Sequence, residues 1–424
     1  MNIPELYQIY KQHPEICTDS RHISVGSLFF ALKGERFNGN AYAHQAIQSG
    51  AAYAVVDEPA FATSSRIILV VDVLTTLQQL ANFHRKQIQI PILAVGGSNG
   101  KTTSKELLHA VLSLKYDTLS TSGNLNNHIG VALTILRIKA HHQIAVIEMG
   151  ANHLHETMQL CHIAEPTMGV VTNNGKDHLE GFGSIEGVRK ANAELFEYLK
   201  SQNGFAFVNA DQADLMLDSK DIRRFTYSLS TPSDYCCCIV SKDHFASILL
   251  PGGILVKSQL AGNFNAVNIA LAAAVGHHFG IDENEMAHAI KNYSPRLNRS
   301  QIIEYKGATI IMDAYNANPS SMELALQSYA QMTGNNKAVI LADMLELGPY
   351  TQEEHLRIVK LLSTLPLQQI ILIGPAFGQF AHLLQCLHFN NTASATDWFK
   401  EQDFSGWHIL LKGSRGYKLE TIIN

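Results

Sequence analysis

Eight residues constrain this chain more than any others: Gly96-Gly97-Ser98-Asn99-Gly100-Lys101-Thr102-Thr103. They follow the apolar run Ile92-Leu93-Ala94-Val95 and precede a helix-like stretch, Ser104 to Leu114. A strand that enters a glycine-rich turn and leaves it as a helix gathers backbone N–H groups at the helix N-terminus. That is a cradle for a polyphosphate. In such a cradle Lys101 reaches the β- and γ-phosphates and the Thr102 hydroxyl sits on Mg²⁺. A bare GxxG is often a plain turn, but GxxGKTT between strand and helix is specific and implies a user of ATP or GTP. Gly97, Ser98, Asn99, Gly100, Lys101, Thr102 and Thr103 are the candidate nucleotide-binding residues.

The 424 residues suggest about two to four domains. Apolar residues make up 46 % and charged residues 16 %, as in soluble globular proteins, and the net charge is −5. There is no basic tail or stripe, which argues against nucleic acid or an anionic membrane as partner. No apolar run approaches the ~18 residues that span a bilayer. The N-terminus, MNIPELYQIYKQHPEIC, lacks the features of a secretory signal, so a cytoplasmic location without membrane insertion is expected. Cys236-Cys237-Cys238 lie in the apolar run Tyr235 to Val240 and read as a buried strand whose side chains alternate between faces, which is wrong for one tetrahedral metal. Cys17, Cys161 and Cys386 have no CxxC partner. His141-His142, His277-His278 and His153/His155 lack HExxH spacing and read as surface or cap residues.

Three blocks succeed one another, 1–90, 91–297 and 298–424. In the first, strand signals at Leu28 to Leu32, Ala52 to Val56 and Ile67 to Val71 alternate with helix-like stretches such as Ala41 to Gln48. The second has strands at 92–95, Ile144 to Ile147, Met168 to Val171 and Gly204 to Val208, then an alanine-rich helix, Asn268 to Gly280. The third has strands at Thr309 to Met312, Lys337 to Leu341, Gln369 to Ile373 and His408 to Leu411. The fold class is α/β. A central P-loop domain with a parallel, doubly wound sheet lies between a small N-terminal α/β domain and a C-terminal Rossmann-like α/β domain, with ligands at the carboxyl ends of the strands.

A magnesium nucleotide needs an acidic residue near the loop. Glu148 follows the apolar Ile144-Ala145-Val146-Ile147, where an unpaired carboxylate costs free energy and asks for a cation. The next strand runs into Thr172-Asn173-Asn174-Gly175-Lys176-Asp177-His178. His178 thus reaches the same edge, to ligate a second divalent ion or to hydrogen-bond the loop.

GGSNGKTT, GNLNNHIGVALTIL (Gly123 to Leu136), EMGANH (Glu148 to His153) and TNNGKDHLEGFGS (Thr172 to Ser184) resemble the central domain of the Mur ligase family. Thr18-Asp19-Ser20-Arg21 with GSLFFALKGERFNGN resembles its N-terminal UDP-binding domain. DAYNANP (Asp313 to Pro319), ADMLELG (Ala342 to Gly348) and LLKGSRG (Leu410 to Gly416) resemble its C-terminal domain. The terminal motifs look most like the members that join D-alanyl-D-alanine to UDP-N-acetylmuramoyl-tripeptide in peptidoglycan precursor synthesis. The resemblance implies an ATP-dependent reaction through an acyl phosphate, with Lys101, Glu148 and His178 as catalytic residues. Thr102 and Glu148 match the ligands of a first Mg²⁺ and His178 those of a second ion. Asn265 and Asn268 match asparagines near adenine, Arg299 an arginine at the junction with the C-terminal domain, and Asp313 an acid facing the ribose, with Asn316 on the same loop. Ser20, Arg21 and Lys33 fall in the uridine-pocket motifs, and Asn124, Asn126 and Asn127 where the muramoyl peptide passes. A monomer is expected, hinged at Ser294–Ser300 so that the C-terminal domain closes for catalysis.

The chain departs from the family pattern at three places. Phe37-Asn38-Gly39-Asn40 stands where Phe-Asp-Gly-His is usual, and Asn298 precedes Arg299 where glycine is usual. Asn192 occupies the slot of a lysine that many members carbamylate. The competing readings are another ligase of this superfamily, such as a folylpolyglutamate synthetase, and a P-loop switch or motor. A GTPase would need Asn/Thr-Lys-x-Asp, and in Asn174-Gly175-Lys176-Asp177 lysine does not follow the asparagine.

Overall fold

The computed structural model describes residues 1–240, 244–295, 298–334 and 336–423. The expected hinge at Ser294–Ser300 contains Arg296 and Leu297, which lie outside the described residues.

Near the N-terminus a four-stranded parallel sheet runs in the order Ile16–Cys17, Leu28–Phe30, Tyr53–Val56, Ile67–Leu69. The helix Val73–Gln87 carries this sheet onto the next unit, because its apolar stripe buries Leu77, Leu80 and Ala81 in a core shared by both. His84 on the same face bridges Tyr7 (3.1 Å) and the Ile138 carbonyl (2.9 Å), and burial lowers its pKa.

The central sheet has seven strands, in the order Tyr235–Cys236, Arg223–Ser228, Phe205–Asn209, Met168–Val171, Ile92–Gly96, Ile144–Glu148, Thr118–Ser120. All of its pairings are parallel. Ile92–Gly96 is buried throughout, as a strand covered on both faces must be. Lys101–Leu112 and Ala266–His278 cover one face, and Glu156–Ala164 and Ile185–Ser201 the other. The strand after Ile92–Gly96 lies beyond Ile144–Glu148, and the chain later returns to the opposite side. That reversal opens a crevice at the carboxyl end of Ile92–Gly96.

The expected cysteine strand is broken. Tyr235–Cys236 closes the parallel sheet, whereas Cys238–Ile239 begins a three-stranded antiparallel sheet with Phe245–Leu249 and Leu255–Ala261. Only Cys237, at the crossing, is fully buried, and Cys238 is exposed. Nothing in the local sequence pattern predicts this antiparallel sheet. The helix expected from Ser104 starts at Lys101, since Gly100 caps it directly.

The last sheet has six strands, ordered Gln301–Tyr305, Ala308–Asp313, His408–Lys412, Lys337–Ala342, Gln369–Ile373, Leu387–Phe389. Only the Gln301–Tyr305 edge pairs antiparallel. The final strand, His408–Lys412, inserts between the second and third in chain order, so the loop after it opens at a second crevice. Asp343, 2 % exposed, pins this end of the sheet. It accepts from the backbone N–H groups of Ala376 and Phe377 and from the Tyr417 hydroxyl, each at 2.9 Å. Asp343→Ala would strand those buried donors and should cost about 2–4 kcal/mol, read as a lower urea midpoint for the C-terminal domain.

Candidate active site

The phosphate loop is shaped from outside as well as by its own glycines. Gly97 has φ +108°, and a Cβ there would lie 2.4 Å from Thr172 Oγ1. Gly100 has φ +82°, with Asn268 Oδ1 2.7 Å from a Cβ position. The Thr172 hydroxyl and the Asn173 amide donate to the Asn99 carbonyl at 2.7 and 2.9 Å, while Ser98 N–H donates to the Asn173 carbonyl at 2.9 Å. Lys101 curls back over the loop and donates to the carbonyls of Gly97 (2.5 Å) and Ser98 (3.0 Å).

Glu148 ends its strand 1 % exposed. Its Oε1 accepts from Thr102 Oγ1 (3.0 Å) and Asn126 Nδ2 (2.7 Å). Its Oε2 is buried with no hydrogen-bond partner among the described residues. Behind it, the Glu148 N–H donates to Thr121 Oγ1 (2.9 Å), and the fully buried Lys105 donates to the Thr121 carbonyl (2.8 Å). His178, in left-handed backbone at φ +44°, holds Glu346 Oε2 at 2.7 Å, and this bond keeps the Glu346 carboxyl below its usual range.

The C-terminal sheet supplies the opposite wall. Asp313 pairs with the buried Lys412 (2.5 Å) and accepts from Ser300 N–H (3.2 Å). The Arg299 guanidinium stacks 3.7 Å from the Tyr315 ring centre, a cation–π contact. Asn318 Nδ2 donates to Asn99 Oδ1 (2.8 Å), so the two walls touch at the phosphate loop itself. Lys176 adds an ion pair to Glu354 (2.5 Å).

Between the walls lies a cleft of about 830 Å³. Of the predicted site residues, all but Gly97, Ser20, Arg21 and Lys33 line it. Gly97 is beneath the loop. Arg21 is exposed and holds Asp19 (2.8 Å), well below the usual carboxylate range, and Lys33 pairs with Asp57 (3.0 Å). Asn265 and Asn268 are present but committed: Asn268 accepts from Ser104 (3.1 Å) and donates to Asn265 Oδ1 (3.0 Å), and Asn265 donates to the Ala261 carbonyl (2.7 Å). Asn192 is buried, donating to Asn174 Oδ1 (2.9 Å), while Lys190 is exposed. Thr121, Thr172 and Lys105 also support the site and were not among the expected residues. Their contribution is long-range hydrogen bonding, for which only the polar character of Lys105, in an otherwise apolar helix face, was a signal.

A parallel sheet with a phosphate loop, a strand-end carboxylate beside it and a second α/β domain closing the cleft defines a P-loop enzyme of composite active site. Family models match in three stretches: the Mur ligase family catalytic domain over residues 14–87, the Mur ligase middle domain over 95–276, and the Mur ligase glutamate ligase domain over 298–415. A UDP-N-acetylmuramoyl-tripeptide–D-alanyl-D-alanine ligase of Bacillus subtilis is 34 % identical over 421 residues, covering 96 % of this chain and 92 % of the relative. MurF of Acinetobacter baumannii superposes with a TM-score of 0.87 at 30 % identity, over 99 % of this chain and 97 % of that one. MurF of Thermotoga maritima in complex with ADP superposes with a TM-score of 0.84 at 25 % identity, over 97 % and 96 %. The chain belongs to the Mur ligase family.

Gly97→Ala pushes a methyl group into Thr172 from a backbone conformation that alanine resists. Nucleotide affinity should fall by on the order of 10-fold or more, as titration calorimetry would measure.

Proposed function

We infer that this chain is an ATP-dependent ligase that joins D-alanyl-D-alanine to UDP-N-acetylmuramoyl-tripeptide in peptidoglycan precursor synthesis. The observation that carries the reading is the composite cleft, with phosphate loop and Glu148 on one wall and the Asp313–Asn318 and Lys412–Gly416 loops on the other, in a chain collinear with MurF enzymes. The γ-phosphoryl of ATP passes to the terminal carboxylate of the tripeptide. The dipeptide amine attacks the resulting acyl phosphate, and inorganic phosphate leaves.

Neither step needs a nucleophile from the protein. Both need two anions brought together, which is a matter of positioning and electrostatics. Lys101 lies across the loop and supplies a fixed cation. Thr102 and Asn126 hold Glu148 by one oxygen, so its orphaned Oε2 fits a divalent cation. Thr102 and Glu148 would hold Mg²⁺, with His178 available to a second ion. When bound, Mg²⁺ neutralises phosphate charge and polarises the transferring group. Among the described residues no three His, Cys, Asp or Glu side chains form a cage, which suits an ion completed by phosphate and water. Among the described residues no helix is long and apolar enough to cross a membrane. Action in the cytoplasm, as a monomer, belongs to the same reading.

Phosphate release should require ATP, the UDP-muramoyl-tripeptide and D-alanyl-D-alanine together. Turnover by nucleotide alone would instead mark a switch or motor. Lys101→Ala should cut turnover by a factor on the order of 10² or more, the loss of one electrostatic stabiliser. ATP consumption near wild type in that variant would sink the assignment.

Asn192 offers a neutral amide, and it is spent on Asn174. The enzyme should therefore work without lysine carbamylation at this position. Removing bicarbonate and carbon dioxide should leave the rate unchanged, and Lys190→Ala should keep most of it. Rescue of activity by bicarbonate would contradict this.

A further inference from the structure

Five carboxylates line the cleft among the described residues: Glu148, Glu156, Asp177, Asp313 and Glu346. Four of them have a partner or a use. Glu148 is held by Thr102 beside the phosphate loop, where it suits the magnesium of the nucleotide. Glu156 accepts from the backbone N–H groups of Asn152 (2.7 Å) and His153 (3.2 Å), Asp313 pairs with Lys412, and Glu346 with His178. Asp177 differs. It is 6 % exposed, and its Oδ1 is buried with no hydrogen-bond partner among the described residues.

The cations on either side of it in the chain are turned elsewhere. Lys176 goes to Glu354 (2.5 Å), which also holds Arg357 (2.8 Å), and His178 goes to Glu346 (2.7 Å). The backbone that carries Asp177 is fixed as well. Lys176 N–H donates to Ser320 Oγ (2.9 Å), and a Cβ on Gly175 would lie 2.6 Å from Asn99 Nδ2. The segment is thus pressed between the phosphate loop and the C-terminal domain. A buried anion without compensation is costly, and one beside a polyphosphate cradle is repelled by the phosphates too. Such a carboxylate asks for a cation that arrives with the substrates.

Resting on the ligase reading above, we propose that Asp177 binds the ammonium of the incoming dipeptide. In that reaction the charges can be matched one by one. The phosphates have Lys101 and the magnesium, and the metal in turn has Thr102, Glu148 and His178. The ammonium, which carries the attacking nitrogen, is left without a counter-charge, as Asp177 is left without a cation. Among the described residues no three His, Cys, Asp or Glu side chains gather around Asp177 as a metal cage. An ammonium needs none: its three N–H donors surround a point charge, and one charge-assisted hydrogen bond satisfies the orphaned oxygen. The placement agrees, because the segment packs on the phosphate loop, beside which the phosphoryl group is transferred. Asp177 is then a specificity-determining residue that selects an acceptor with a charged amine and holds its nitrogen on the phosphate side of the cleft.

The test compares D-alanyl-D-alanine with propionyl-D-alanine, which keeps the methyl groups, the peptide bond and the carboxylate and lacks the ammonium. Dissociation constants are measured by calorimetry on enzyme loaded with Mg²⁺, a non-hydrolysable ATP analogue and the UDP-muramoyl-tripeptide. Wild type should bind propionyl-D-alanine more weakly by on the order of 10- to 100-fold, the range for a charge-assisted hydrogen bond. Asp177→Asn, of the same shape, should weaken D-alanyl-D-alanine by a similar factor and leave propionyl-D-alanine near its wild-type affinity. Its melting curve should match wild type or lie above it, since an unpaired buried charge is gone. The Mg²⁺ concentration for half-maximal turnover, read at saturating dipeptide, should stay put. Equal affinities in wild type, an equal penalty on both ligands in the variant, or a raised Mg²⁺ requirement, which would make Asp177 a metal ligand, would overturn the proposal while the ligase reading stood. A wild-type enzyme that consumes no D-alanyl-D-alanine would end both.

Discussion

Glu148 is a carboxylate taken out of water with half of its hydrogen-bonding capacity unmet, and the surrounding structure exists to hold it that way. A buried anion without compensation costs several kcal/mol. The compensation is partial and comes from two segments distant in sequence, Thr102 from the loop helix and Asn126 from the segment before Gly130–Leu136, while Thr121 Oγ1 behind the strand end accepts the Glu148 backbone N–H and fixes its position. Lys105 extends that support by one layer, being fully buried itself and fixing the Thr121 carbonyl. The result is an oxygen of fixed position and unsatisfied charge one side chain away from a phosphate cradle. A site of that kind is complete only when a cation and its phosphates arrive.

The parts of this site that were legible in the sequence are those where local chemistry and geometry coincide. GxxGKTT specifies its own strand, turn and helix, and Glu148 announces itself by ending an apolar strand. The parallel sheets followed from βα alternation. What stayed hidden depends on contacts that close over long separations. Thr172 and Asn173 shape the phosphate loop from more than seventy residues away. The three cysteines read as one strand because hydrophobicity does not record that the chain changes sheets at Cys237. Asn265 and Asn268, expected near adenine from the family resemblance, line the cleft, yet their hydrogen bonds run to Ala261, Ser104 and each other.

The three departures from the family pattern share a physical logic. Each replaces a residue by asparagine, which can both donate and accept and tolerates unusual backbone. Asn298 has φ +56°, a conformation that asparagine adopts more readily than most non-glycine residues, so the usual glycine turn survives; its carbonyl accepts from Ala314 N–H (2.9 Å). Asn40 is buried and doubly bonded to Asp57, accepting its N–H and donating to Oδ1 at 2.9 Å each, and Asp57 in turn holds Lys33. Asn192 ties the Ile185–Ser201 helix to Asn174 on the loop that leads to His178. Each substitution thereby settles into hydrogen bonds with its own neighbours.

That loop also determines where His178 can be. The helix it begins, Leu179–Phe182, buries Leu179 and Phe182 in the apolar cluster of the C-terminal domain, against residues such as Leu347. Glu180 N–H donates to the Glu346 carbonyl (3.1 Å), and Tyr350 donates to the Gly183 carbonyl (3.1 Å). His178 is a residue of the central domain whose position is set by the C-terminal one. Asn99 works in the reverse sense, since the phosphate loop itself offers Oδ1 to Asn318. A ligand can favour domain closure only through contacts that differ between open and closed states. Asn99 and His178 are placed where such contacts would form, because each belongs at once to the phosphate-loop side of the cleft and to the seam between the domains. A ligand at the phosphate loop therefore meets residues that the C-terminal domain itself holds.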